Sequence, residues 1–310
     1  MAWLEITIDT TPKKIQSAVT TLTARGFSDL VIEDQEEFET FLEENRAYWD
    51  YIDEKLQDQL QGLSRIKLYL EDTDEEALQR LDSACEELKL TFRTAALPDT
   101  NWEESWKDNY PPQEVGKNLV VLPYWLAGTE AGRTPIILDP GLTFGTGAHP
   151  STQMVMEVME EKVQPGWKCL DLGSGSGILS IAALRLGAKS AVGIDIDPKA
   201  EDIARENALY NNFASPEFTA LTGNVTEDKA LMASLAREHY DLVLVNIVAD
   251  VIIGLSPLLP GFMNKNTLLI CSGILDTRLG DVTAALEGAG LRITRILEKE
   301  DWRCVSAVLA

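Results

Sequence analysis

Residues 169–197 read CLDLGSGSGILSIAALRLGAKSAVGIDID, and this stretch narrows the possible folds more than any other. The pattern predicts a strand over Trp167–Leu172, three glycines at alternate positions (Gly173, Gly175, Gly177), a helix over Ile178–Leu186 and a second strand over Ala191–Ile196 that ends on acids. Strand, short turn, helix and strand within about 30 residues make a βαβ unit. Such units build an open, mostly parallel sheet with helices on both faces. Ligands of these sheets sit at the carboxyl ends of the strands, where the strand order reverses. The glycine turn lies at that end.

The rest of the chain has the composition to support such a sheet. Its 310 residues are 45% hydrophobic and 25% charged, so it can bury a large core and have a small second domain besides. Residues 1–10, MAWLEITIDT, are acidic and strand-like, and no apolar run is long enough to span a bilayer. Neither a signal peptide nor a membrane span is therefore expected. The four cysteines (Cys85, Cys169, Cys271, Cys304) are widely spaced within apolar segments, which suits buried thiols in a cytoplasmic protein. With two histidines and no clustered ligands, no metal site is expected. The net charge is −23, and residues 1–97 hold 22 acidic against 10 basic side chains. Such a surface repels nucleic acid and favours a basic partner.

Residues 1–97 contain two strand–helix–strand patterns in a row. Trp3–Ile8 alternates, Thr11–Arg25 has helical periodicity ending at Gly26, and Leu30–Glu33 returns as a strand. Ile66–Leu70, a helix opened by a capping box (Thr73, Glu76) and Thr91–Ala95 repeat the pattern. The expectation is a small ferredoxin-like α+β domain with an acidic helical insert around Phe38–Leu60. Residues 98–126 read as a connector packed by Trp102, Trp106 and Tyr110, and residues 127–310 as the catalytic domain. That domain closes on a hairpin joined by EKEDWR, which gives a seven-stranded Rossmann-like sheet with the last strand antiparallel.

Three segments carry the chemistry. The glycines of the turn bring backbone close to a ligand, and their G-x-G-x-G spacing puts Ile178 where a dinucleotide fingerprint has its third glycine. Asp195, 22 residues after Gly173, is placed to accept hydrogen bonds from two ribose hydroxyls, and Asp171 brackets the site from the first strand. Acids and a turn without a phosphate cradle suit S-adenosyl-L-methionine better than NAD. LDPGLTFGTGAHPST (138–152) reads as a lid leading into a helix, with Thr152 donating to the ligand and His149 bracing the loop. LVLVNIVADV (242–251) ends a buried strand at Asn246. There the carboxamide either accepts a hydrogen from an incoming amine or caps the next helix. Without the proline and aromatic residue that often follow such a position, the amine would be aliphatic. A nicotinamide dehydrogenase, an RNA methyltransferase and a binding module with a degenerate site are the competing readings.

WEESWKDNYPP, LDPGLTFGTGAHPST, CLDLGSGSGILSIAALRLGA, GIDIDP and VNIVAD, in this order, closely resemble the bacterial ribosomal protein L-eleven methyltransferase family over essentially the whole chain. One departure is Ala148, where the family usually has threonine. The resemblance implies a class I S-adenosylmethionine-dependent methyltransferase fold behind the small N-terminal domain. It also implies methylation of lysine ε-amines of ribosomal protein L-eleven, with the α-amine as a further candidate acceptor. Cofactor contacts would fall at Thr152, Gly173, Gly175, Gly177, Asp195 and Asn246, with Asn246 also beside the substrate amine. The enzyme would be a cytoplasmic monomer without metal, membrane or direct nucleic-acid contact.

Overall fold

The computed structural model describes residues 3–27, 29–34, 64–97, 107, 110–130, 132–140 and 147–310. The chain divides into two compact units, Met1–Asn109 and Tyr110–Ala310. The expected insert helix around Phe38–Leu60, Trp102, Trp106 and residues 141–146 of the glycine-rich loop lie outside the described residues.

In the N-terminal unit, β1 (Trp3–Asp9), α1 (Pro12–Ala24), β2 (Val31–Asp34), β3 (Ser64–Glu71), α2 (Glu75–Leu88) and β4 (Phe92–Leu97) follow the expected order. The strands form an antiparallel sheet in the order β2-β3-β1-β4, as a ferredoxin-like domain requires. Period-two alternation puts Ile6, Ile8, Ile66 and Leu68 on one face. Ile15, Ala18 and Leu22 of α1 and Ala77, Leu81, Ala84 and Cys85 of α2 join them in one core. Gly26, at φ +90°, ends the turn after α1. The capping box needs correction. The N-cap of α2 is Asp74 and not Thr73, because the Asp74 carboxylate accepts the Ala77 N–H at 2.9 Å from the position where the helix begins.

The C-terminal unit opens with a small sheet, β5 (Gln113–Val115), β6 (Leu119–Pro123) and β7 (Thr134–Leu138). Residues 110–126 therefore cluster with this unit, and Tyr110 meets Trp125 edge-on. Then come α3 (Pro150–Lys162), β8 (Lys168–Leu172), α4 (Ile178–Arg185), β9 (Ser190–Asp195), α5 (Pro198–Tyr210) and β10 (Phe218–Thr222). They are followed by α6 (Lys229–Leu235), β11 (Tyr240–Asn246), α7 (Ala249–Leu255), β12 (Met263–Leu275), α8 (Leu279–Gly288), β13 (Leu291–Lys299) and β14 (Trp302–Leu309).

The seven-stranded sheet runs β10-β9-β8-β11-β12-β14-β13, with β14 alone antiparallel to the rest. This is the seven-stranded sheet expected from the closing hairpin, and it fits the class I methyltransferase fold that the family resemblance implies. Alternate residues of each strand feed two cores. Cys169, Leu242, Leu244 and Ile270 pack with α3, α4 and α5, while Leu170, Leu172, Val243 and Val245 pack with α7 and α8. Strand order reverses between β8 and β11, so the carboxyl ends of these strands form the crevice a ligand would use. All four cysteines are buried free thiols: Cys85 in the N-terminal core, the others in the C-terminal unit.

Candidate functional site

The turn after β8 is held by its own Gly177 N–H to Ser174 O bond, at 2.8 Å, and by its neighbours. Gly173 N–H and Ser174 N–H both donate to Ile194 O of β9, at 2.8 and 3.0 Å. Gly173 has φ +79°, and a Cβ there would collide with Ile247 Cγ2. Gly177 has φ +78°, and its Cβ would lie 3.0 Å from the Ala204 methyl of α5. The close packing that a dinucleotide fingerprint assigns to its third glycine is achieved here by Gly177 against Ala204. Ile178 is thereby free to be apolar and buried.

Asp195 ends β9, half-exposed. One of its oxygens accepts Gly175 N–H at 2.9 Å, and the other accepts Asp197 N–H at 3.0 Å. These two bonds aim the carboxylate along the mouth of the crevice. A carboxylate has about four acceptor positions, so two remain.

Asp171, one residue before the end of β8, is fully buried. Its Oδ2 accepts Ser180 N–H at 3.2 Å and Ser180 Oγ–H at 2.8 Å. Its Oδ1 is buried without a hydrogen bond. Burial pushes the carboxyl up to about 7, against the lowering pull of the Ser180 bonds, and the Asp195 charge adds to the rise. A cation placed against Oδ1 would supply the missing partner.

Asn246 ends β11. Its Nδ2 donates to Thr152 Oγ1 in the first turn of α3, at 3.2 Å, and its Oδ1 is buried without a partner. Thr152 is itself fully buried. The structure therefore brings together two residues 94 positions apart and leaves a carboxamide oxygen with nothing to accept. The helix-cap alternative fails, because α7 begins after Val248 and has no side-chain cap. Ile247 follows, with Gly273 at φ +80° packed against its carbonyl oxygen.

His149 is the N-cap of α3. Its Nδ1 accepts Ser151 N–H at 3.2 Å, and its ring meets Trp302 edge-on at 4.5 Å. That matches the bracing role expected from the sequence. Buried Ser272 donates to Ser151 O at 3.1 Å, tying β12 to the same helix start. Sequence reasoning missed Ser180, Ser272 and Gly273, since a serine or lone glycine in an apolar segment gives no spacing signal.

The residues present fit S-adenosylmethionine: two unpartnered buried acceptors, a carboxylate with spare lone pairs and a turn open to close approach, all at the ends of β8, β9 and β11. No group of His, Cys, Asp and Glu able to hold a metal ion occurs among the described residues.

Comparison with known proteins identifies the family. The family model described as "Ribosomal protein L11 methyltransferase (PrmA)" matches residues 2–309. A ribosomal protein L11 methyltransferase of Azotobacter vinelandii is 35% identical over 319 residues, covering 99% of each chain. One of Alkaliphilus oremlandii is 32% identical over 317 residues, covering 98% of each. The crystal structure of a ribosomal protein L11 methylase from Lactobacillus delbrueckii subsp. bulgaricus is similar at 29% identity and a TM-score of 0.58, covering 64% of this chain and 99% of that one. The dehydrogenase reading is set aside by the same matches. With a family model spanning nearly its whole length, the chain belongs to the ribosomal protein L11 methyltransferase family.

Proposed function

We propose that this chain transfers methyl groups from S-adenosylmethionine to lysine ε-amines of ribosomal protein L11, acting on the α-amine as well where it reaches the same pocket. The observation that carries the reading is Asn246. Its amide nitrogen is tied to Thr152 while its oxygen is buried and unpaired. An amine nucleophile needs such a fixed acceptor: the oxygen takes one N–H and so aims the lone pair.

When bound, S-adenosylmethionine supplies an electrophilic methyl carbon. Asp195 would hold the ribose hydroxyls with its spare lone pairs, and Asp171 Oδ1 would face the ammonium of the amino-acid end. Gly173, Gly175 and Gly177 give the backbone the room to approach. Thr152 accepts from Asn246, so its own hydroxyl hydrogen is free to donate to the cofactor. A lysine has a pKa of about 10.4 in water, and desolvation next to a cation favours its neutral form. No strong base is then needed at Asn246, and alignment of the reacting atoms carries most of the rate.

Residues 1–97 serve as the recognition domain in this reading. Their 22 acidic against 10 basic side chains favour a basic protein over RNA, and their core is separate from that of the C-terminal unit. The enzyme works in the cytoplasm, as a monomer. No helix among the described residues is long and apolar enough to cross a membrane.

The direct test is to incubate the protein with labelled cofactor and total ribosomal proteins and to identify the labelled chain and residues by mass spectrometry. Label on L11 lysines is expected. Label on ribosomal RNA alone would overturn the substrate assignment.

A further inference from the structure

Asparagine is a poor helix former, and burying its amide is costly unless every bond is replaced. Helix α5 nevertheless buries two of them one turn apart, Asn207 and Asn211. Asn211, just past the last turn, acts toward β7 as a neighbouring strand would. Its Oδ1 accepts Ile137 N–H at 3.0 Å and its Nδ2 donates to Ile137 O at 2.6 Å. Asn207 divides its amide between two places. Its Oδ1 accepts Asp139 N–H at 2.8 Å, and its Nδ2 donates to Ser176 O at 2.9 Å.

The two partners of Asn207 have different consequences. Ser176 lies inside the glycine turn, whose other side is fixed by Gly175 N–H on Asp195. Asp139 is the residue at which β7 leaves the small sheet for the glycine-rich loop. The next residue, Pro140, has no N–H, so Asp139 supplies the last backbone donor before residues 141–146. A single buried amide thus sets the root of that loop against the turn. Asn207 is fully buried, and both its amide oxygen and its amide nitrogen are bonded within the protein.

We propose that Asn207 is a positioning residue that couples the root of the glycine-rich loop to the cofactor turn, so that cofactor affinity depends on a side chain that does not touch the cofactor. This rests on the reading of the Gly173–Gly177 turn as the cofactor site. Asn211 provides an internal control: it is buried and bonded to Ile137 of β7, to Asn207 O and to the Arg185 guanidinium of α4, but has no bond to the turn.

The test uses the full-length chain with Asn207→Ala, Asn207→Asp and Asn211→Ala. Melting temperature, S-adenosylmethionine affinity by calorimetry and the KM and kcat for the cofactor are measured on each. Both alanine variants are expected to melt earlier. Asn207→Ala is expected to weaken cofactor binding about tenfold, the loss of one buried hydrogen bond, mostly through KM, while Asn211→Ala stays within about twofold. Asn207→Asp keeps the acceptor for Asp139 but places a carboxylate oxygen against Ser176 O. It is expected to lose as much affinity as the alanine variant, which keeps the test open should Asn207→Ala fail to fold.

Hydrogen exchange without cofactor reads the coupling separately. The Asn207 variants are expected to speed exchange both at Asp139 and in 173–178, and Asn211→Ala in 134–138 but not in 173–178. Equal affinity losses at 207 and 211, or wild-type affinity in Asn207→Asp, would overturn the coupling. A wild-type chain that exchanges as expected yet binds no S-adenosylmethionine would instead overturn the cofactor reading and leave the coupling standing.

Discussion

The two units differ in what lies beside their buried polar atoms that make no hydrogen bond. In the N-terminal unit, partly buried Glu33 of β2 forms an ion pair with Arg65 and Lys67 of β3, Ser64 bonds Asp34, and Thr10 Oγ1 has no hydrogen bond. Burial alone would raise the Glu33 carboxyl, and Lys67 and Arg65 overcome this and hold it below its ordinary value. In the C-terminal unit, buried Asp171 Oδ1 and Asn246 Oδ1 have no partner, although each residue's other polar atom is bonded. Leaving a buried acceptor unpaired costs about 1–3 kcal/mol. That penalty applies in full at the ends of β8 and β11, whereas Glu33 Oε2 and Arg65 Nε, also buried without a hydrogen bond, face each other as an ion pair. The difference separates a sheet arranged for its own stability from one arranged to receive something.

The strongest way to break this comparison is to remove the N-terminal unit. A shortened chain beginning at Tyr110 retains both cores of the C-terminal unit and is expected to bind S-adenosylmethionine as the full chain does. It is also expected to lose methylation of intact L11, measured by incorporation of labelled methyl groups. L11 modification at the full-length rate in low salt would show that recognition lies elsewhere.

Next in size is Asn246→Ala, expected to lower the single-turnover rate about 100-fold, as loss of one preorganised hydrogen-bonding group typically does. The melting temperature should change little, because loss of the bond to Thr152 is offset by removal of an unsatisfied buried oxygen and no helix cap is lost. A drop in melting temperature with normal turnover per folded molecule would return Asn246 to a structural role.

Asp195→Ala is expected to weaken cofactor binding by about 1.5–3 kcal/mol, the loss of charge-assisted hydrogen bonds to two hydroxyls. Calorimetry on the folded variant checks this. Unchanged affinity would take Asp195 out of the site.

The effects of pH on stability should differ in sign between the two units. Asp171 holds its proton up to about pH 7 when folded, while an unfolded aspartate releases it near 3.8. The folded state therefore binds more protons over that window, and stability falls as pH rises through it, by at most about 1.4 kcal/mol per unit. Asp171→Asn should abolish this slope in chemical denaturation. Glu33 is shifted downward, so its contribution is present above the ordinary glutamate range and is lost as pH falls. Being partly exposed, it contributes under about 1 kcal/mol, and Glu33→Gln should remove only a shallow acid-side dependence. Equal slopes in both variants would erase the contrast.

Much of the C-terminal sheet was legible because its strands are apolar runs bounded by glycine or acid, so period and punctuation agree. The expected limits of β11, Tyr240–Asn246, match those observed. The three-residue β5 and seven-residue α6 were missed because they are too short to show a period. β12 runs for thirteen residues, from Met263 to Leu275, through polar residues at its start that give no strand pattern. Its ends are set by pairing with β11 and β14, which a single strand's sequence does not encode. The glycines, Asp195, Asn246 and Thr152 were legible as residue types at particular offsets. What could not be read was the bond between Thr152 and Asn246, or the amide of Asn207 joining two distant segments. Those follow from the tertiary path of the chain.

The buried cysteines give each unit its own internal reporter. Only the thiolate reacts with alkylating reagents, and burial suppresses it: desolvation pushes Cys85 up to about 11 and Cys304 up to about 12, and it holds Cys169 and Cys271 well above the ordinary thiol range. A thiol reagent therefore labels this protein only through opening. The rate at Cys85 counts excursions of the N-terminal core, and the rates at Cys169, Cys271 and Cys304 count those of the C-terminal sheet. One mass spectrum taken over time could then resolve two unfolding clocks in a single unmodified chain.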